Sequence, residues 1–144
     1  MANWAALGIA PWQVHDFGPQ MVKGMTFRGQ AQTEAVQLSL CDIGPLSFEL
    51  IGPGMAASIY REHLDHHGEG LHHVGYFVDH MEAAIADMIG RGYLVLRRGH
   101  GFGRDDDGAY AYFNTEAAIG CVIEAMLAPK RLPPPARWFP AEGE

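Results

Sequence analysis

The sequence predicts an α+β chain built from two related modules, each a strand followed by a helix and three further strands. Three observations predict it. Short apolar runs of strand length alternate with two longer helical patterns. The segment Phe48-Glu49-Leu50-Ile51-Gly52-Pro53 is similar to Ile123-Glu124-Ala125-Met126-Leu127-Ala128-Pro129, an offset of 75 residues. A second, weaker match sets Ala2-Asn3-Trp4-Ala5-Ala6-Leu7-Gly8 against Ala86-Asp87-Met88-Ile89-Gly90-Arg91-Gly92, an offset of 84 residues. Together the matches place module one at residues 1–53, a linking helix at 54–70, module two at 71–128 and an extended tail at 129–144. The counterpart of module two's opening strand falls before residue 1, so module one is expected to begin inside its helix and to be short at its N-terminus.

The elements follow in order. Residues 4–7 read as the tail of a helix stopped by Gly8 and Pro11, and residues 12–17 as a strand. Residues 18–32 are polar and glycine-containing, a loop with a short strand near 25–28. Residues 35–41 and 46–51 form a hairpin around Asp42-Ile43-Gly44-Pro45, and Gly52-Pro53-Gly54 breaks the chain. A helix is expected at 55–67, ended by Gly68, then a strand at 72–78. Asp79 suits the N-cap of a helix at 80–91 whose apolar face is Met81, Ala84, Ile85 and Met88, with Gly92 as its stop. Strands are expected at 93–97, 110–113 and 121–127, with a loop at 99–108. Pro133-Pro134-Pro135 favours an extended tail lying over the surface.

Composition narrows the function classes. The 144 residues, 48% of them hydrophobic, suffice for one core. No apolar stretch approaches the roughly 18 residues of a membrane span. The start, Met1-Ala2-Asn3-Trp4-Ala5-Ala6-Leu7, lacks the basic opening and long apolar run of a signal peptide, so a cytoplasmic location is expected. The formal net charge is −7 and no basic stripe exists, which argues against nucleic acid as a partner. Cys41 and Cys121 lie in apolar runs and read as buried free thiols. Eight histidines motivate a metal hypothesis.

Glu49 and Glu124 are the most informative residues. Each stands mid-strand among apolar neighbours with no Lys or Arg nearby in sequence. Burying an unpaired carboxylate costs several kcal/mol or shifts its pKa. Either both lie on a solvated sheet face or both meet a divalent cation. Side chains alternate across a strand, so only one of His72 and His73 is expected to point inward, and periodicity alone does not choose. His63 and His67, one helical turn apart, are able to hold an adventitious metal, though with His66 they read first as a solvated helix face. His100, in the glycine-rich loop, is a candidate substrate contact, and Asp105-Asp106-Asp107 a solvated turn. Tyr110 and Tyr112 share a strand face as core or cleft wall, and Trp12 and Phe17 are candidates for the same wall.

The run Gly70-Leu71-His72-His73-Val74-Gly75-Tyr76-Phe77-Val78-Asp79 resembles the start of a second module in the vicinal oxygen chelate superfamily. The helices around Ser58-Ile59-Tyr60-Arg61-Glu62 and Met81-Glu82-Ala83-Ala84 and the closing Val122-Ile123-Glu124 agree with it. The superfamily includes glyoxalase I, methylmalonyl-CoA epimerase, extradiol dioxygenases and bleomycin-resistance proteins, and the nearest flavour is epimerase-like. The resemblance implies a glyoxalase-like fold, two modules forming one curved-sheet cleft. It implies that His73 is the inward histidine, and that Glu49, His73 and Glu124 are ligands of a divalent metal. The superfamily's fourth ligand, on module one's opening strand, has no counterpart here. One imidazole and two carboxylates suit Zn, Ni, Co, Fe or Mn.

The activity implied is that of a metal-dependent isomerase or lyase working through a stabilised enolate, with Glu124 as ligand and catalytic base, on a small-molecule substrate. Trp12, His100 and Tyr112 are candidate substrate contacts. Glu34 is the acid available near module one's third strand, which leaves two-base epimerisation without an obvious second group. A metal-free binding protein of the bleomycin-resistance kind and an iron-dependent ring-cleaving dioxygenase are the alternatives; the dioxygenases usually use two His and one Glu. Open sheet edges favour a homodimer.

Overall fold

Residues 1–141 are described by the computed structural model. Along the chain the elements are α1 (Ala2–Ala6), β1 (Trp12–Phe17), β2 (Lys23–Phe27), β3 (Gln30–Ala31), β4 (Val36–Ile43), β5 (Leu46–Pro53), α2 (Ile59–His67), β6 (His73–Phe77), α3 (Met81–Gly90), β7 (Val95–Phe102), β8 (Gly108–Phe113), α4 (Glu116–Ile119), β9 (Val122–Leu127) and β10 (Arg137–Phe139). They form two sheets, one in the order β10-β1-β4-β5 and one in the order β3-β2-β7-β8-β9-β6.

Module two is complete. Its opening strand β6 pairs in parallel with its last strand β9, and β7, β8 and β9 form an antiparallel ladder. Such a parallel pairing needs a crossover, and α3 begins it. Module one is α1-β1-β4-β5, with β1, β4 and β5 antiparallel. The position that β6 holds beside β9 has no equivalent beside β5 among the described residues. The two modules are stitched together by exchanged segments. The β2–β3 hairpin, from the chain between β1 and β4, extends the second sheet beside β7. The tail strand β10 extends the first sheet beside β1. The tail is therefore a sheet edge rather than a surface strap, because three residues beyond the proline run have free N–H groups to pair.

Residue alternation decides the layers. Phe17, Val36, Leu38 and Ile51 of the first sheet meet Tyr110, Tyr112 and Val122 of the second, with Ile59 and Tyr60 of α2 beside them. On the second sheet's other face, Met81, Ile85 and Met88 of α3 pack onto Ala109, Ala111, Phe113 and Ala125. All six residues of β8 are buried, with tyrosines inward and mostly alanines under the helix. α1 covers the first sheet's other face, where Trp4 stacks near Trp12 and Phe48 with centroids 6.3 and 5.7 Å apart. Each such large apolar side chain contributes on the order of 2 kcal/mol by burial.

Several boundaries differ from the expectation. Helix α2 starts at Ile59 instead of Met55, because the buried Ser58 hydroxyl accepts from the Arg61 N–H at 3.1 Å and fixes the N-cap. The cap of α3 is His80, one residue after Asp79. Strand β7 runs through Gly99-His100-Gly101, expected as loop. The glycines make this possible: a Cβ on Gly99 would lie 2.7 Å from the Tyr110 hydroxyl, and Gly101 has φ +72° where the ladder shifts register. The short helix α4 has too few residues for a periodic signal. Asp105, Asp106 and Asp107 are held rather than free, by Arg131, Lys23 and the Lys130 N–H respectively.

Candidate metal centre

Three strands bring three functional side chains to one place. Glu49 is opposite Leu40 in the β4–β5 ladder, and Leu38 and Ile51 of the same ladder belong to the interior. Glu124 is opposite Tyr112 and beside Gly75. His73 opens β6. Strands β5 and β6 are the end strands of their sheets, so the cluster lies where the two sheet ends meet. His73 Nε2 is 2.9 Å from Glu49 Oε2 and 3.4 Å from Glu124 Oε2. One ligand atom from each of the three lies within 4.8 Å of the others. The Glu49 and His73 side chains are 20% and 11% exposed, so the cluster is reachable from outside, while Glu124 is at its buried end.

The surroundings make this site demanding. The Glu124 carboxyl is pushed up to about 8, first by burial and then by the charge of Glu49, against the opposing pull of His73. Burial pulls the His73 imidazole down, but the hydrogen bond to Glu49 and the charges of both glutamates outweigh it and leave His73 above its ordinary value. Glu124 Oε2 is buried without a hydrogen-bond partner. An orphaned buried carboxylate oxygen beside an imidazole and a second carboxylate is a donor set that a divalent cation fits. Its ligands would be Glu49, His73 and Glu124. Gly75 keeps the space open, since a Cβ there would approach Glu124 Oε2 to 3.3 Å and Met126 Cε to 2.6 Å.

Tyr112 stands over the cluster, its ring edge-on to His73 at 5.3 Å and to Tyr60 at 5.7 Å. Burial pushes both phenols well above their ordinary pKa, so both stay protonated. The other two expected substrate contacts are placed elsewhere. Trp12 is fully buried on the far face of the first sheet, against Trp4, with its indole N–H donated to the Ile9 carbonyl at 2.7 Å. His100 is opposite Ala109, on the face of the second sheet that α3 covers, and lies over Gly24.

Residue patterns also left part of the site unread. Only one of His72 and His73 is expected to point inward, and the resemblance assigns that place to His73. His72 precedes β6, escapes strand alternation, and sets its Nδ1 3.1 Å from His73 Nδ1. Burial, then the charges of His73 and His63, push it down to about 3, so it stays neutral. His72 also lines a cavity of about 430 Å³ with Ile59, His63, His67 and Glu116. Arg97 and Glu34 form an ion pair at 2.8 Å with both side chains buried, and Arg97 lies against the Tyr60 ring at 5.3 Å. Glu34 is thereby committed to Arg97. No local signal marks that pair, because the residues are 63 apart in sequence.

The comparisons with known proteins come to the same fold. A family model described as Glyoxalase/Bleomycin resistance protein/Dioxygenase superfamily matches residues 1–113. A hypothetical protein from Bacillus halodurans C-125 superposes with a TM-score of 0.63 at 18% identity, over 91% of this chain and 84% of that one. Methylmalonyl-CoA epimerase from Mycobacterium tuberculosis superposes with a TM-score of 0.51 at 18% identity, over 74% of each chain. No curated protein sequence matches the chain. Among the described residues no helix is long and apolar enough to cross a membrane.

Proposed function

Because the chain belongs to the glyoxalase/bleomycin resistance/dioxygenase superfamily, we propose that it is a metal-dependent isomerase or lyase that moves a proton at a carbon beside a carbonyl. The observation that carries this reading is the convergence of Glu49, His73 and Glu124, with His73 Nε2 2.9 and 3.4 Å from the two carboxylates. A divalent cation held there by Glu49, His73 and Glu124 would supply Lewis-acid stabilisation of negative charge developing on a substrate oxygen. Glu49 and His73 hold and orient. Glu124, at the buried end of the cluster beside His73 and Glu49, is the group placed to take a proton from the substrate and return it. Tyr112 and Tyr60 wall the inner side and exclude water from Glu124. The substrate is a small molecule, approaching from the side where Glu49 and His73 are partly exposed.

Glu34 does not serve as a second base in this reading, since Arg97 holds it, so Glu124 acts alone on both proton transfers. The free cysteines Cys41 and Cys121 suit a cytoplasmic location, and the outer edge of β5, unpaired among the described residues, suits a homodimer. A metal-free binding protein is the competing reading, favoured by a cluster of three donors among the described residues.

One experiment separates them. Metal-loaded protein is incubated in D₂O with acyl thioesters carrying an acidic α-carbon, and deuterium uptake is followed by NMR. Uptake that requires the metal and falls about 10²–10⁴-fold in Glu124→Gln supports the enzyme. Uptake equal with and without metal, or unchanged by that substitution, contradicts it.

A further inference from the structure

A second group of metal-ligating side chains stands outside the centre just described. His63, in the middle of α2, and His67, its last residue, are one turn apart with ring centroids 4.9 Å apart. Glu116, the first residue of α4, closes on both. Its Oε1 is 3.8 Å from His63 Nδ1 and 3.6 Å from His67 Nε2. One ligand atom from each of the three lies within 4.8 Å of the other two. These separations are too long for good hydrogen bonds, and His63 Nδ1 is buried with no partner although its side chain is only 14% exposed. A solvated helix face would not leave a ring nitrogen in that state.

The spacing suits an ion. Zinc takes imidazole nitrogen and carboxylate oxygen at about 2.0–2.2 Å, which in a tetrahedron sets ligand atoms roughly 3.3–3.6 Å apart. The Glu116 carboxylate reaches that spacing from 3.8 and 3.6 Å by movements of a few tenths of an ångström, and the two imidazole nitrogens start within 4.8 Å of each other. His67 and Glu116, each about half exposed, have room to make these movements. All three residues line the cavity of about 430 Å³, which leaves room for a water or ligand at a fourth position. We propose that His63, His67 and Glu116 form a second divalent-metal site that takes zinc. The ion would tie the helix linking the two modules to the turn that leads into β9, the strand of Glu124. The inference stands on its own donors and does not depend on the first centre being occupied.

The test is zinc stoichiometry by equilibrium dialysis and elemental analysis of the full chain. In the otherwise unaltered protein, His67→Ala is expected to lower bound zinc by one equivalent, and Glu116→Gln to do the same. In a chain carrying Glu49→Gln and Glu124→Gln, one equivalent is expected to remain and to vanish when His67→Ala is added. The first centre can thus fail while the second stands. Equal zinc binding by the wild type, His67→Ala and Glu116→Gln, each with the far-ultraviolet circular dichroism of the wild type, overturns the inference.

Discussion

Glu124 is a buried carboxyl beside a second carboxylate, and its titration links the site to stability. Folding raises it from 4.5 to about 8, so its contribution is fully present below its unfolded value and is lost as pH rises through about 8. His73, also raised, acts in the same direction. His72, pushed down to about 3, acts oppositely and costs stability as pH falls below 6.5. Between pH 6.5 and 8 only the raised groups act. The metal-free chain is therefore expected to lose about 1–2 kcal/mol across that window in urea unfolding, and Glu124→Gln to remove most of the loss. A flat profile in the wild type would show that the carboxyl is already ionised.

The Arg97–Glu34 pair gives a second expectation at this scale. Arg97→Met alone leaves Glu34 buried and uncompensated, a cost of about 3–5 kcal/mol, whereas adding Glu34→Leu should recover much of it. Equal stability of the single and double variants would contradict the pairing. The mid-strand carboxylates were legible in the sequence because their neighbours are apolar. Trp12 was not, since an aromatic in a strand has the same pattern on either face. The place of His72 was not legible because alternation holds only inside a strand, and it stands one residue outside β6.

At the level of elements, the caps decide the boundaries. Ser58→Ala removes the oxygen that accepts the Arg61 N–H and is expected to cost about 1 kcal/mol in thermal or chemical unfolding. Thr115 does comparable work before β9. Its hydroxyl donates to the Cys121 carbonyl at 2.9 Å and accepts from the Ile123 N–H at 2.8 Å. Thr115→Val should cost about 1–3 kcal/mol by leaving both groups unpaired in a buried turn, and an unchanged unfolding midpoint would contradict this. Helix α3 was legible because Met81, Ile85 and Met88 repeat at helical spacing and all three are buried. Helix α4, four residues long, and the last half of β7, punctuated by glycines, carry no such period. Their structure comes from tertiary pairing, with Gly99 giving way to Tyr110.

Across the whole molecule, the repeat of Glu49 and Glu124 revealed the two modules, but not how the modules exchange segments. β2–β3 joins the second sheet and β10 the first, and both are long-range pairings that a local pattern cannot encode. Ending the chain after Pro135 removes β10 and bares the β1 edge. Concentration-dependent self-association is then expected in sedimentation velocity, and an unchanged sedimentation coefficient would show that β10 does not protect that edge. The same repeat puts Glu49 and Glu124 on matching last strands of the two modules, where with His73 they are proposed to hold a single divalent cation. Calorimetric titration of the metal-free His67→Ala chain with Co²⁺ tests this most directly. One equivalent is expected, lost on adding His73→Ala or Glu124→Gln. Binding that is absent from the start, or that survives both substitutions, would contradict the account.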